Sequence, residues 1–193
     1  MTVKLHFQND EHVRFAEAVE KLGSERAATT AYRRGINRVG DTARTRVQKA
    51  LAKQVGLTLG GIKTHGSFAV SRANASSLAY AITSRGNHLP LRLFGARQFA
   101  YGVRARPWGR WQRFPGVFMF AGHPRSGQLV NARGDAFHRS TLASLPIERM
   151  FGPAVPVEMV KGVTADTFER TAATLPKRIA HEVRVLTDGI VTA

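Results

Sequence analysis

The chain has 193 residues, of which 43% are hydrophobic and 22% charged, and its formal net charge is +16. This composition excludes an intrinsically disordered chain, and the length suits one domain with its own hydrophobic core. The absence of cysteine excludes disulfide bonds and thiolate metal sites, and it is typical of proteins from a reducing compartment.

The N-terminal part, residues 1–56, is predicted to be helical after a short candidate strand, "TVKLHF". The segment "MTVKLHFQND" has no apolar core of signal-peptide length, so we expect no secretion signal. A first helix is predicted over "NDEHVRFAEAVEKLG", with Asn9 or Asp10 as its N-cap. Its predicted apolar face comprises Val13, Ala16, Val19 and Leu22.

The following segment, "SERAATTAYRRGINRVGDTARTRVQKALAKQVG", predicts one long helix or two nearly continuous helices. Gly35 and Gly40 weaken its middle by about 1 kcal/mol each relative to Ala, so a break near Gly40 and Asp41 is an alternative. The predicted apolar stripe comprises Ala28, Tyr32, Val39, Ala43, Val47, Leu51 and Val55. The opposite face is either solvated surface or a basic contact surface, whose candidate residues are Arg38, Arg44, Arg46, Lys49 and Lys53.

Residues 57–134 are predicted to form a basic β-sheet part. After a turn or short helix, "LTLGGIK", alternating patterns predict strands in "SFAVSRA", "SSLAYAITSRG", "RQFAYGVRA" and "RFPGVFMF". The loop "GHPRSG" is predicted to return the chain through "QLVNAR". We expect a mostly antiparallel sheet of four or five strands.

The excess positive charge lies in this middle part of the chain. From Thr42 to Gly134 there are 15 bases, 12 of them Arg, and no acid. Arg forms bidentate pairs with carboxylates or phosphates and stacks on aromatic rings. The window therefore favours an anionic partner, which is either nucleic acid or an acidic protein surface, including a neighbouring copy in an oligomer.

Within this window, "FGARQFAYGVRARPWGRWQRFPGVF" at residues 94–118 contains five arginines, both tryptophans and no acid. We predict two strands joined by the turn "RPWGRW", with Trp108 at the turn as the preferred contact with a neighbouring subunit. The candidate subunit-interface or DNA-channel contacts are Arg97, Arg104, Arg106, Trp108, Arg110, Trp111 and Arg113.

The last part, residues 135–193, is predicted to be a polar, mobile loop from Asp135 to Pro146, followed by a C-terminal amphipathic helix. The helix pattern in "TADTFERTAATLPKRIAHEVRVLTDG" is interrupted by Pro176, which predicts a kink. Its apolar face comprises Phe168, Ala172, Leu175, Ile179, Val183, Leu186 and Ile190. We expect this face to pack on the sheet against Phe118 or Phe120, giving a single α+β domain over residues 1–193.

No pattern in the sequence predicts a catalytic, cofactor-binding or metal-binding residue. The seven histidines do not stand at ligand spacing, and the acid-free middle lacks the paired carboxylates that a metal-dependent nuclease needs. The long basic helix lacks the short turn of a helix-turn-helix, so sequence-specific DNA reading is not indicated. No apolar run is long enough to span a membrane. Sequence-independent phosphate contact stays open.

Three blocks resemble the minor tail protein Z, or tail completion, family of long-tailed bacteriophages and prophages. "INRVGDTARTRVQKALAKQVGL" is similar to the family's N-terminal helical signature. "LPLRLFGARQFAYGV" followed by "RPWGRWQRFPGVF" is similar to its central block, and "LPIERMFGPAVPVEMV" to its closing motif. The blocks cover about residues 36–160 in order.

The resemblance implies a non-enzymatic virion structural protein at the head-proximal end of the tail, made in the host cytoplasm and assembled into the neck. It implies a homo-oligomeric ring, with six-fold or twelve-fold symmetry, next to neck, connector and tail-terminator proteins. Non-specific contact with genomic DNA in the channel is a further expectation. The alternative function is a stand-alone, sequence-independent nucleic-acid-binding protein.

Overall fold

The computed structural model describes residues 2–5, 9–120, 134–141 and 145–187, and its fold is α+β, as predicted. The helices are α1 (Asn9–Leu22), α2 (Glu25–Val55), α3 (Leu59–His65), α4 (Val155–Met159), α5 (Gly162–Ala172) and α6 (Leu175–Leu186). The strands are β1 (Thr2–Leu5), β2 (Phe68–Ser71), β3 (Tyr80–Ser84), β4 (His88–Pro90), β5 (Arg97–Phe99), β6 (Gly102–Ala105), β7 (Gln112–Pro115), β8 (Val117–Phe120), β9 (Asp135–Arg139), β10 (Ile147–Arg149) and β11 (Phe151–Ala154). No helix in the described ranges is long and apolar enough to cross a membrane.

Helix α2 is the centre of the molecule, and it is a single helix of 31 residues rather than two. All seven residues of its predicted apolar stripe are buried. Its glycines allow close packing: a Cβ at Gly40 would lie 2.3 Å from the ring of Tyr80, and one at Gly35 would lie 3.0 Å from Cγ1 of Ile179. At these two positions glycine lowers the helix propensity of α2, but it lets β3 and α6 pack closely against the helix.

The apolar face predicted for α1 is partly wrong. Ala16 is exposed, whereas Ala18 is buried and packs with the half-buried Phe15, Val19 and Leu22. The buried positions follow the spacing i, i+3, i+4 and i+7, so the helix has the expected periodicity but is rotated from the predicted face. The side chain of Val13 lies outside the described residues.

The predicted C-terminal helix is two helices, α5 and α6, separated at Ala173 and Thr174. Pro176 lies in the first turn of α6, where its missing N–H costs no helical hydrogen bond, so the proline begins a helix instead of kinking one. Both helices pack on α2 and not, as predicted, on the sheet. The glycine at position 35 of α2 gives Ile179 the space for this contact. Ile190 lies outside the described residues.

The predicted sheet of four or five strands is replaced by several small antiparallel sheets. In the described part of the chain their strand orders are β1-β3-β2, β5-β6-β7, β8-β9-β10 and β4-β11. "RQFAYGVRA", predicted as one strand, turns at Ala100 and Tyr101 into the pair β5 and β6. The predicted return through "QLVNAR" lies outside the described residues.

The polar loop predicted to begin at Asp135 is in fact strand β9, whose first three residues are buried. Phe118 and Phe120 pack on Phe137 of this strand, with ring centroids 6.3 and 6.5 Å away. These phenylalanines therefore pack within a sheet and are not the partners of the C-terminal helix.

Candidate functional site

The arginines of residues 94–118 are brought together by a three-stranded sheet. The predicted turn between two strands is confirmed by the pairing of β6 with β7, and β5 adds a third strand. Arg97 lies opposite Arg104, and Arg104 lies opposite Arg113. Because neighbouring strands are about 4.8 Å apart, the three exposed arginines form one row on the outer side of the sheet.

Aromatic rings surround this row. The guanidinium of Arg104 lies 4.7 Å from the ring centroid of Trp111, and that of Arg113 lies 5.3 Å from the centroid of Tyr101. Tyr101 also stacks on Phe99 at 5.4 Å. The rings remain accessible, since Phe99 and Tyr101 are each 40% exposed and Trp111 is 51% exposed.

We call this surface the arginine face and define it by the three arginines and the three rings. Its members are Arg97, Phe99, Tyr101, Arg104, Trp111 and Arg113. Within the described ranges, none of the three arginines forms an ion pair with a carboxylate. Like charges directly opposite in a sheet are destabilising, so the arginine face is a surface that an anionic partner would stabilise.

Two acids stand at the two ends of the acid-free window. They pair with arginines inside the window, and these arginines are therefore not available to an anionic partner. Asp41, just before the window, binds Arg72 and accepts a hydrogen bond of 2.9 Å from the Tyr80 hydroxyl. Asp135, just after it, is buried, with its Oδ1 2.7 Å from Nε of Arg92. Both acids therefore neutralise bases inside the window. In the sequence, the only sign of these pairs is that the two acids stand at the two ends of the acid-free window.

The Asp41 cluster shifts the pKa of both of its acidic groups. The hydrogen bond from Arg72 holds the pKa of Asp41 below its usual value. Burial, followed by the hydrogen bond with Asp41 and its charge, raises the pKa of Tyr80 to about 12. This cluster joins α2 to β3 at the place where Gly40 meets the tyrosine ring.

Three further predicted contact residues lie at the turn Pro107–Gly109. Nε of Arg106 donates a hydrogen bond of 2.9 Å to the carbonyl of Gly109, so this side chain closes the turn. Trp108 has a backbone φ of 53° and donates from its indole Nε1 to Oε1 of Glu158 at 3.1 Å. Trp108 is 42% exposed, and its contact with a neighbouring subunit stays a prediction. Arg110 is exposed beside it.

A hydrogen-bond cluster around Gln54 fixes this turn to the helices. Nε2 of Gln54 on α2 donates to Oε2 of Glu158 at 2.9 Å, while its Oε1 accepts from the Thr164 hydroxyl at 2.8 Å. Glu158 in turn accepts from Trp108. The turn that connects β6 and β7 of the arginine face is therefore positioned by α2, α4 and α5, which sequence reasoning missed.

The predicted basic face of α2 is exposed, as the helical pattern indicated. Its candidate residues lie along α2 and outside the three-stranded sheet: Arg38, Arg44, Arg46, Lys49 and Lys53. In the described part of the chain, no group of three or more His, Asp or Glu side chains is arranged to hold a metal ion. Comparison with protein-family models, with curated proteins and with solved structures finds no match for this chain.

Proposed function

We propose that this chain is a non-enzymatic virion structural protein of the tail-completion type, which forms an oligomeric ring at the head-proximal end of a phage tail. The observation that carries the proposal is the arginine face, where three aligned arginines and three exposed rings have no carboxylate partner among the described residues. Aromatic and arginine side chains are the types enriched in protein interfaces. The resemblance of the three sequence blocks supplies the biological setting.

A neighbouring copy of the chain has the right charge to cover the arginine face. Exposed carboxylates lie on α1, at Glu17 and Glu20, and on α5, at Asp166 and Glu169. None of these four pairs with a base within the described residues. Contact between a basic sheet on one copy and an acidic helix on the next is heterologous, and such contacts form a ring when the rotation from copy to copy closes. The neck, connector and tail-terminator proteins would lie above and below the ring.

Charge reversal on the arginine face tests the proposal. We expect the triple variant Arg97→Glu, Arg104→Glu and Arg113→Glu to stay monomeric in analytical ultracentrifugation and to yield tail-defective particles when it replaces the natural chain. A matched control, Arg26→Glu with Lys63→Glu and Arg85→Glu, makes the same charge change at other exposed positions. Normal infectious virions made without the protein would refute the proposal, as would equal defects in both variants.

Sequence-independent nucleic-acid binding is the second candidate function, and a specific observation favours it. Arginines beside exposed rings on one sheet face are also how proteins bind single strands, through phosphate contact and base stacking. This function predicts tight binding to DNA that weakens steeply as salt rises. Absence of binding at low salt would exclude it.

A further inference from the structure

We infer that a cleft between α2 and α6 is a binding site for phosphate groups, separate from the arginine face. The cleft has a volume of 380 Å³. Its cationic lining comes from Arg38 and Arg46 of α2 and from Lys177 and Arg178 of α6, and His181 of α6 also lines it. None of the described residues that line it is acidic. This inference does not depend on the proposed virion function.

The cationic groups line one cleft because of helix geometry. Arg38 and Arg46 are eight residues apart on α2, which places them about 12 Å apart along one side of the helix. Lys177 approaches the same space from α6, and all three side chains belong to exposed residues. None of the three pairs with a carboxylate within the described ranges. Their charges are therefore available to a ligand.

Arg178 has a different place in the cleft. Its guanidinium binds Glu182, one turn further along α6, so that the carboxylate is already neutralised. Glu182 is itself buried and lines a neighbouring hollow, not this cleft. This half-buried ion pair holds Arg178 in the wall of the cleft without placing a negative charge inside it.

The beginning of α6 adds to the positive potential. Thr174, the N-cap residue, lines the cleft, but its hydroxyl donates to the carbonyl of Thr171 at 2.7 Å and makes no capping bond to α6. The positive end of the dipole of this 12-residue helix therefore adds to the cationic side chains.

A phosphate group fits this arrangement better than a flat acidic protein surface does. The lining is concave, and guanidinium and ammonium donors reach it from two helices, which suits the several oxygens of a phosphate. The phosphate can be free or can belong to a nucleic-acid backbone. In both cases the chemistry of recognition is the same, and the experiment below distinguishes the two sources.

The test is a binding titration of the full chain at constant ionic strength, with pyrophosphate and with a short DNA duplex as separate probes. We expect Arg38→Gln with Lys177→Gln to weaken binding by roughly tenfold or more, because charge-assisted hydrogen bonds are lost. The matched control, Arg26→Gln with Lys63→Gln, removes the same charge from exposed positions outside both the cleft and the arginine face, and it should change binding less than about twofold. Because the replaced residues are exposed, unchanged circular dichroism should confirm that both variants fold.

Each outcome decides the proposal. If the cleft variant loses affinity for DNA and the control does not, the result supports the cleft and identifies a nucleic-acid backbone as the source of the phosphate. A selective loss of pyrophosphate binding supports the cleft as a site for a small phosphate ligand. No binding of either probe, or equal losses in the cleft variant and the control, would overturn the inference. Arg46→Gln serves as a second variant and should reproduce the loss.

Discussion

At the scale of single residues, Tyr80 is the group whose environment has the clearest consequence. Its hydroxyl donates to Asp41, and its pKa is raised from 10.0 to about 12. Between these two values the unfolded tyrosine loses its proton while the folded one keeps it, so rising pH favours unfolding. The contribution of Tyr80 to stability is fully present below pH 10 and is lost as the pH rises through about 12.

We therefore expect the free energy of unfolding to fall more steeply between pH 10 and 12 in the natural chain than in Tyr80→Phe. Urea denaturation at each pH measures the slope, which matters here more than the absolute stability, since the variant also loses the bond to Asp41. Absorbance titration of the phenolates should show a late transition whose amplitude is smaller by one tyrosine in the variant. Equal slopes would contradict the assigned environment.

Asp41 in the same cluster changes stability with pH in the opposite direction from Tyr80. Because Arg72 lowers the pKa of Asp41, the ionised carboxylate stabilises the fold at pH values above 3.8, the ordinary pKa of an aspartate. That contribution is lost as the pH falls through the lowered pKa of the folded state. One cluster thus contributes to stability across the neutral range and weakens at both extremes.

At the scale of elements, the packing of α6 on α2 sets the stability of the helical layer. Leu175 is 3% exposed and belongs to the hydrophobic core, as the sequence predicted, although its helix packs mainly on α2 and not on the sheet. We expect Leu175→Ala to lower the free energy of unfolding by about 2–5 kcal/mol, because a buried cavity replaces the side chain. Val185→Ala on the same helix, at a residue that is 52% exposed, should change it by less than about 0.5 kcal/mol. Denaturant unfolding compares the two, and a Leu175 loss as small as the control would show that this face is not core.

The elements also show which parts of the fold could be predicted from the sequence. The buried stripe of α2 was predicted correctly because a helix repeats locally, and the same periodicity showed that its arginines are exposed. The division into small sheets could not be predicted, because strand pairing depends on residues far apart in the chain. Ala154, for example, pairs with His88. The helical partner of Ile179 was missed because it depends on the space at Gly35, which the sequence presents only as a weak helix former.

The candidate surfaces, like the elements, could be predicted only as far as the signal is local in the sequence. The sequence named Arg97, Arg104, Trp111 and Arg113 as candidate contacts, and all four are exposed, since composition and alternation are local signals. Phe99 and Tyr101 were not named. The alignment of the arginines in one row depends on the register of β5, β6 and β7, which only the pairing reveals. The cleft between α2 and α6 was not foreseen, because Arg38 and Lys177 are far apart in sequence.

At the scale of the whole molecule, the uneven distribution of charge should make the isolated chain respond to salt. The net charge is +16, and the row of Arg97, Arg104 and Arg113 places like charges on adjacent strands. Sodium chloride shortens the screening length from about 30 Å at 0.01 M to about 8 Å at 0.15 M. The buried contacts of Asp135 are screened much less, so screening relieves repulsion more than it weakens attraction.

We therefore expect the free energy of unfolding to rise over this salt range by a few tenths of a kcal/mol to about 1 kcal/mol. Arg97→Gln with Arg113→Gln should lose more of this response than Arg26→Gln with Lys63→Gln, which removes the same charge from exposed positions outside the row. Urea denaturation measures the response, since urea adds no ions of its own. A free energy that falls with salt would mean that attractive surface pairs outweigh the repulsion along the arginine face, and that the face is not under electrostatic strain in the isolated chain.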